Sequence, residues 1–193
     1  MAENADTSAS AGSSGAKLSS PGLSGTAAPE GSPAPQGTAP PGSAAQEDKL
    51  RVDFYVLEES APGARLRVAC RLAEKAYLSG QSALLWHSDP DELRSLDELL
   101  WTFMDGSFVP HEALGTGTAT AEVPVLLSAG AVPAHQVDVI INLAPEIPPC
   151  LAQTRRVAEI IDGDEARRRA GRARFRAYRE LGIQPASHNV RGD

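Results

Sequence analysis

Seven arginines crowd into residues 165–179 of a chain whose formal net charge is −7. They stand at 167, 168, 169, 172, 174, 176 and 179, with Phe175 and Tyr178 among them. A guanidinium holds a carboxylate or a phosphate through paired hydrogen bonds. A row of guanidinium groups beside an aromatic ring therefore suits a ligand with both acidic groups and an apolar one. Because the protein is acidic overall, a stripe of one sign is a local choice rather than a background. The plainer reading of the same residues is a solvated basic face with one incidental ring. Single-stranded nucleic acid is a third reading, but a net acidic protein with one short stripe would bind it weakly.

Other chemistry is hard to place. His87, His111, His135 and His188 lack the spacing of metal ligands, and neither Cys70 nor Cys150 has a CxxC partner. No GxSxG elbow offers a nucleophile. Asp89, Asp91 and Glu92 resemble paired carboxylates, but they read more simply as the charged N-terminus of a helix. The first apolar run is followed by "LEESAPGARL", which holds neither GxGxxG nor GxxxxGK[ST]. "GTGTAT" (115–120) contains a lone GxG that precedes an apolar run, so it reads as a loop. The expectation is no catalytic residue, no metal and no cofactor.

Residues 1–48 contain no Phe, Tyr, Trp, Ile or Val and are dominated by Ala, Gly, Ser, Pro and Thr. Such a stretch buries too little apolar surface to offset the entropy of ordering, so it is expected to be a disordered tail. It has neither the basic start and apolar core of a secretory signal nor the arginines of a transit peptide. No apolar run reaches the roughly 20 residues that span a bilayer. With two distant cysteines, this implies reduced thiols and a cytoplasmic protein. One folded domain is expected over 49–185, followed by a flexible end over 186–193.

Within that domain, "RVDFYVL" (51–57), "SALLWH" (82–87), "VPVLLSA" (123–129), "VDVIINL" (137–143) and "RVAEIID" (156–162) are short, apolar runs. Between the first two, Leu66, Ala69, Cys70, Ala73 and Tyr77 keep a helical period, ended by Ser79-Gly80. "SDPDE" starts a second helix, with Ser88 as its expected N-cap and Pro90 in its first turn. Strands that are apolar throughout and alternate with amphipathic helices indicate a mainly parallel sheet with helices on both faces. The expected fold is a three-layer, Rossmann-like α/β domain.

The arginine segment reads as the last helix. At 100° per residue from Arg168, Arg172 falls at about 40°, Arg176 at about 80°, Arg179 at about 20° and Phe175 at about 340°. Ala166, Ala170, Ala173, Ala177 and Leu181 gather between roughly 140° and 220°, and this small face is expected to lie on the sheet. In the preceding helix Leu93, Leu96, Leu99 and Leu100 form the apolar stripe, while Trp101 lies toward the polar flank beside Asp97. Phe103 and Met104 are expected in the core. Trp101 and Phe108 are expected to form an exposed apolar patch, a common mark of a partner site.

"DFYVL", "LDELLWTFMDGSFVPHEALG", "VDVIINL" and "RARFRAYRELG" occur in this order between residue 51 and about residue 184. Together they resemble the chi subunit of bacterial DNA polymerase III, an accessory protein of the clamp-loader complex. The resemblance does not extend to the N-terminal tail. It implies a non-enzymatic α/β adaptor with two partners: the psi subunit of the clamp loader and the acidic C-terminal tail of single-stranded DNA-binding protein. That tail ends in aspartates and Ile-Pro-Phe with a free carboxylate. The family's basic tail-binding positions fall on Arg168, Arg172 and Arg176, within the stripe found from periodicity, with Phe175 and Arg179 beside them. Its psi-facing aromatics fall on Trp101 and Phe108. Two other classes stay open: a nucleotide-dependent enzyme on a Rossmann-like sheet, and a direct single-stranded nucleic-acid binder.

Overall fold

The computed structural model describes residues 49–58, 61–115 and 123–191. The tail expected over 1–48 and nearly all of "GTGTAT" lie outside the described residues. The apolar runs become strands β1 (Arg51–Leu57), β2 (Ala83–Trp86), β4 (Val125–Ser128), β5 (Val137–Asn142) and β6 (Thr154–Ile161). Two further strands, β3 (His111–Ala113) and β7 (Ala186–Val190), complete a seven-stranded, all-parallel sheet in the order β3-β4-β2-β5-β6-β1-β7. Helices α1 (Ala64–Leu78) and α2 (Pro90–Thr102) cover one face and α3 (Glu165–Glu180) the other. The fold is α/β in three layers, as expected.

Both strands that pattern reading did not find are the edges of the sheet. An edge strand is half solvated, so "HEA" and "ASHNV" carry no apolar run to betray them. Residues 186–190 are thus corrected from a flexible end to a paired strand. A buried carboxylate anchors that strand: Asp53 on β1 is bonded by His188 of β7 at 2.9 Å and by Arg156 of β6 at 2.9 Å. Burial alone would raise the Asp53 carboxyl, but its bonds to His188 and Arg51 and the Arg156 charge together hold it below its ordinary value.

Two apolar clusters sit on either side of the sheet. On the side of α1 and α2, Val68, Leu96 and Leu100 of the helices meet Leu57, Leu85, Ile141 and Ile160 of the sheet, and on the side of α3, Tyr178 meets Phe54, Leu84, Ile140 and Val157. The N-cap of α2 is Asp89, whose carboxylate accepts from the Asp91 N–H at 2.9 Å; Ser88 stands one residue too early.

Cys70 and Cys150 are free, buried, and belong to the clusters on opposite faces of the sheet. Burial pushes the Cys70 thiol up to about 12 and raises Cys150 as well. Since the thiolate is the reactive form, a thiol reagent at neutral pH should modify neither cysteine in the folded protein and both after unfolding. Fast labelling without denaturant would contradict this burial.

Candidate functional site

Helix α3 begins at Asp164, whose carboxylate caps the Arg167 N–H at 2.9 Å. Its rotation on the sheet differs from the expected one. The residues turned inward are Gly171, Arg174 and Tyr178, whereas Ala166, Ala173 and Leu181 are exposed. At 100° per residue from Arg168, the buried set centres at about 270°, roughly 90° from the alanine face. The alanines are helix formers here, not the packing face.

A carboxylate in the sheet sets this rotation. Glu159 stands in the middle of β6, fully buried, and faces α3. A buried charge needs a counter-charge and filled hydrogen-bonding positions. Arg174, 5 % exposed, supplies the charge through Nε and Nη2 at 2.9 and 2.8 Å. The Tyr178 hydroxyl donates at 2.8 Å and Asn142 Nδ2 at 3.0 Å. Arg174 also donates to the Pro145 carbonyl at 2.8 Å. Gly171 eases the close approach, because a Cβ there would meet Ile161 Cδ1 at 2.7 Å and that side chain would have to shift.

With α3 held this way, Arg172, Arg176 and Arg179 are exposed and Arg168 is half-buried. Phe175 lies against Phe54, ring centroids 5.2 Å apart. Arg168, Arg172 and Phe175 then line a cavity of about 370 Å³ with Phe54, Val56, Ile161, Gly171 and Ser187. Arg176 and Arg179 are not part of that lining and continue the basic face along the helix. Arg172 is bonded to the exposed Glu165 at 2.8 Å, a solvated contact that an incoming carboxylate can replace. Arg168 donates to the Asp162 carbonyl at 3.2 Å. An apolar cavity with guanidinium groups at its side is chemically suited to a ligand that is apolar at one point and acidic beside it.

The second surface lies at the end of α2. Leu93, Leu96 and Leu100 go into the core, which leaves Trp101 on the flank, 55 % exposed. Phe108 is 61 % exposed and its ring lies 5.5 Å from that of Trp101. The His111 ring of β3 also lies against Trp101, tilted, with centroids 4.8 Å apart, and its Nδ1 is bonded to the Val109 carbonyl at 2.7 Å. Phe103 packs against the core as expected, but Met104 is exposed and widens the patch. The two surfaces lie on opposite faces of the sheet, one near the β3 edge and the other near the β7 edge. Among the described residues no three His, Cys, Asp or Glu side chains gather as a metal site, and no helix is long and apolar enough to cross a membrane.

Residues 50–186 match the family model described as DNA polymerase III chi subunit, HolC. The chain belongs to the DNA polymerase III chi subunit family. It is 41 % identical over 140 residues to the DNA polymerase III subunit chi of Pseudomonas aeruginosa, covering 72 % of this chain and 96 % of that protein. The subunit chi of Haemophilus influenzae is 28 % identical over 138 residues, covering 71 % and 95 %. Among solved structures, T4 UvsW shares the fold, with a TM-score of 0.55 at 11 % identity over 77 % of this chain and 42 % of that one. Family membership places the chain among the subunits of a replicative DNA polymerase.

Proposed function

We propose that this chi-family protein is a non-catalytic cytoplasmic adaptor of DNA replication, joining the clamp loader to single-stranded DNA-binding protein. The acidic C-terminal tail of the latter docks on α3, its apolar terminal side chain in the cavity beside Phe54 and Phe175. Arg168 and Arg172 take its carboxylates there, and Arg176 and Arg179 extend the contact to the preceding acids. The psi subunit and the clamp loader engage Trp101 and Phe108. The observation that carries this reading is the combination, in one cavity, of an aromatic lining with two guanidinium groups. The placement of the aromatic patch on the opposite face supports simultaneous binding of two partners.

The test is titration of a fluorescent acidic-tail peptide at several salt concentrations. Exposed ion pairs are screened over a Debye length of about 8 Å at physiological salt, so affinity should fall as salt rises. Arg172→Ala should weaken binding and flatten the salt dependence, whereas Arg71→Ala, which removes an exposed arginine of α1 on the other face of the sheet, should change little. Arg174 is no neutral control, since it is buried and paired with Glu159. Equal losses from the Arg172 and Arg71 variants would mean that diffuse charge binds the peptide rather than this face.

A further inference from the structure

A crevice of about 290 Å³ lies at the carboxyl ends of β2, β5 and β6 and belongs to neither surface. The first turns of all three helices border it, with Arg65 from α1, Glu92 from α2 and Arg167 from α3. Open parallel sheets receive ligands at such positions, and helix N-termini favour anions. Those features alone do not make a site; a pair of buried donors facing one another points to a ligand.

His87 follows β2 and is 7 % exposed. Its Nδ1 lies 2.8 Å from the backbone N–H of Asp89, which can only donate, so Nδ1 is the acceptor and carries no proton. Burial first, then the neighbouring Arg65 charge, lowers the His87 pKa, which favours the neutral ring. The ring proton therefore sits on Nε2. That Nε2–H faces Nη2 of Arg65 at 3.4 Å, and Arg65 is itself 8 % exposed. A guanidinium only donates, so neither group satisfies the other.

The nearby acceptors are engaged or out of reach. Arg65 Nη1 already uses the Leu143 carbonyl at 2.7 Å. Asp162 holds Arg167 at 2.7 Å, Asp89 caps α2, and Glu159 holds Arg174. Glu92 is half-exposed, and its Oε2 stands 3.8 Å from Arg65 Nη2, beyond hydrogen-bond range.

We propose that this crevice binds a phosphoryl group whose oxygens accept from Arg65 Nη2 and His87 Nε2 together. Donors from two different elements, with helix N-termini converging around them, suit tetrahedral oxygens better than a planar carboxylate. The phosphoryl group is either free phosphate or part of a small nucleotide. Glu92 is its internal competitor.

The experiment is calorimetric titration of the full chain with inorganic phosphate, AMP and acetate at constant ionic strength. Saturable binding of phosphate or AMP, but not of acetate, is expected; tighter AMP identifies a nucleotide source, and equal affinities identify free phosphate. Glu92→Gln should tighten binding severalfold and Arg172→Ala should leave it unchanged. His87→Phe, which removes a charge-assisted bond, should weaken it about tenfold or more. Nitrogen NMR of the His87 ring covers the case in which that variant does not fold: Nε2 should carry the proton and shift on phosphate addition. A proton on Nδ1, no saturable binding by the wild type or Glu92→Gln, or binding lost in Arg172→Ala would overturn the proposal.

Discussion

Arg174→Ala is expected to destabilise the fold by about 3–5 kcal/mol, the range for breaking a buried ion pair by removing one partner. The loss is large because Glu159 stays behind, fully buried, with only Tyr178 and Asn142 to solvate its charge. The Pro145 carbonyl also loses its donor. Urea unfolding should show a much lower midpoint with little change in slope. Replacing both partners together, Glu159→Leu with Arg174→Met, should recover only part of the loss, because an apolar pair carries no desolvation cost but leaves the Tyr178 hydroxyl and the Pro145 carbonyl without their partners. The double variant should nevertheless bind the acidic-tail peptide less well, since the hydrogen bonds that fix the rotation of α3 are gone. A loss below about 1 kcal/mol for Arg174→Ala would show that water reaches Glu159 and that the pair does not set the helix.

Trp101→Ala and Phe108→Ala should each weaken association with the clamp loader by about 2 kcal/mol or more, the usual cost of truncating an aromatic anchor. Both rings are more than half exposed, so stability should change far less than binding. Stability and binding are thus separable here, unlike at Arg174. Binding of the acidic-tail peptide should be untouched, because α3 lies on the other face of the sheet. The measurement is a pair of titrations on each variant, one with clamp-loader subunits and one with the peptide, beside a melting curve. Unfolding of both variants would assign the rings to the core. A parallel loss in both titrations would mean that the two surfaces are coupled.

These expectations rest on different parts of the chain's legibility. The layered α/β fold was readable because buried parallel strands are apolar throughout, as "VDVIINL" and "VPVLLSA" are. The exposed Trp101 was readable because Leu93, Leu96 and Leu100 already fill the inward stripe of α2. The arginine stripe was readable from spacing alone, since positions 168, 172, 176 and 179 share a face of any helix built on that segment.

Periodicity places residues relative to one another on a helix but does not say which side meets the sheet. The alanine face was the natural choice by apolarity, and the structure instead turned Gly171, Arg174 and Tyr178 inward. One signal was present in the sequence: "RVAEIID" carries a glutamate inside an apolar strand, and a buried carboxylate obliges some cation to come to it. Which of seven arginines would do so depended on where β6 and α3 lie in space, about which local spacing is silent. The edge strands β3 and β7, and the cavity that β1 and α3 form together, were hidden for a related reason. The sequence by itself determined the layers, the apolar strands and the two sets of candidate binding residues. Only the tertiary structure decided the rotation of α3, which follows from the pairing of Glu159 with Arg174 across elements, and the assignment of the two surfaces to opposite faces, which follows from α2 and α3 packing on opposite sides of the sheet.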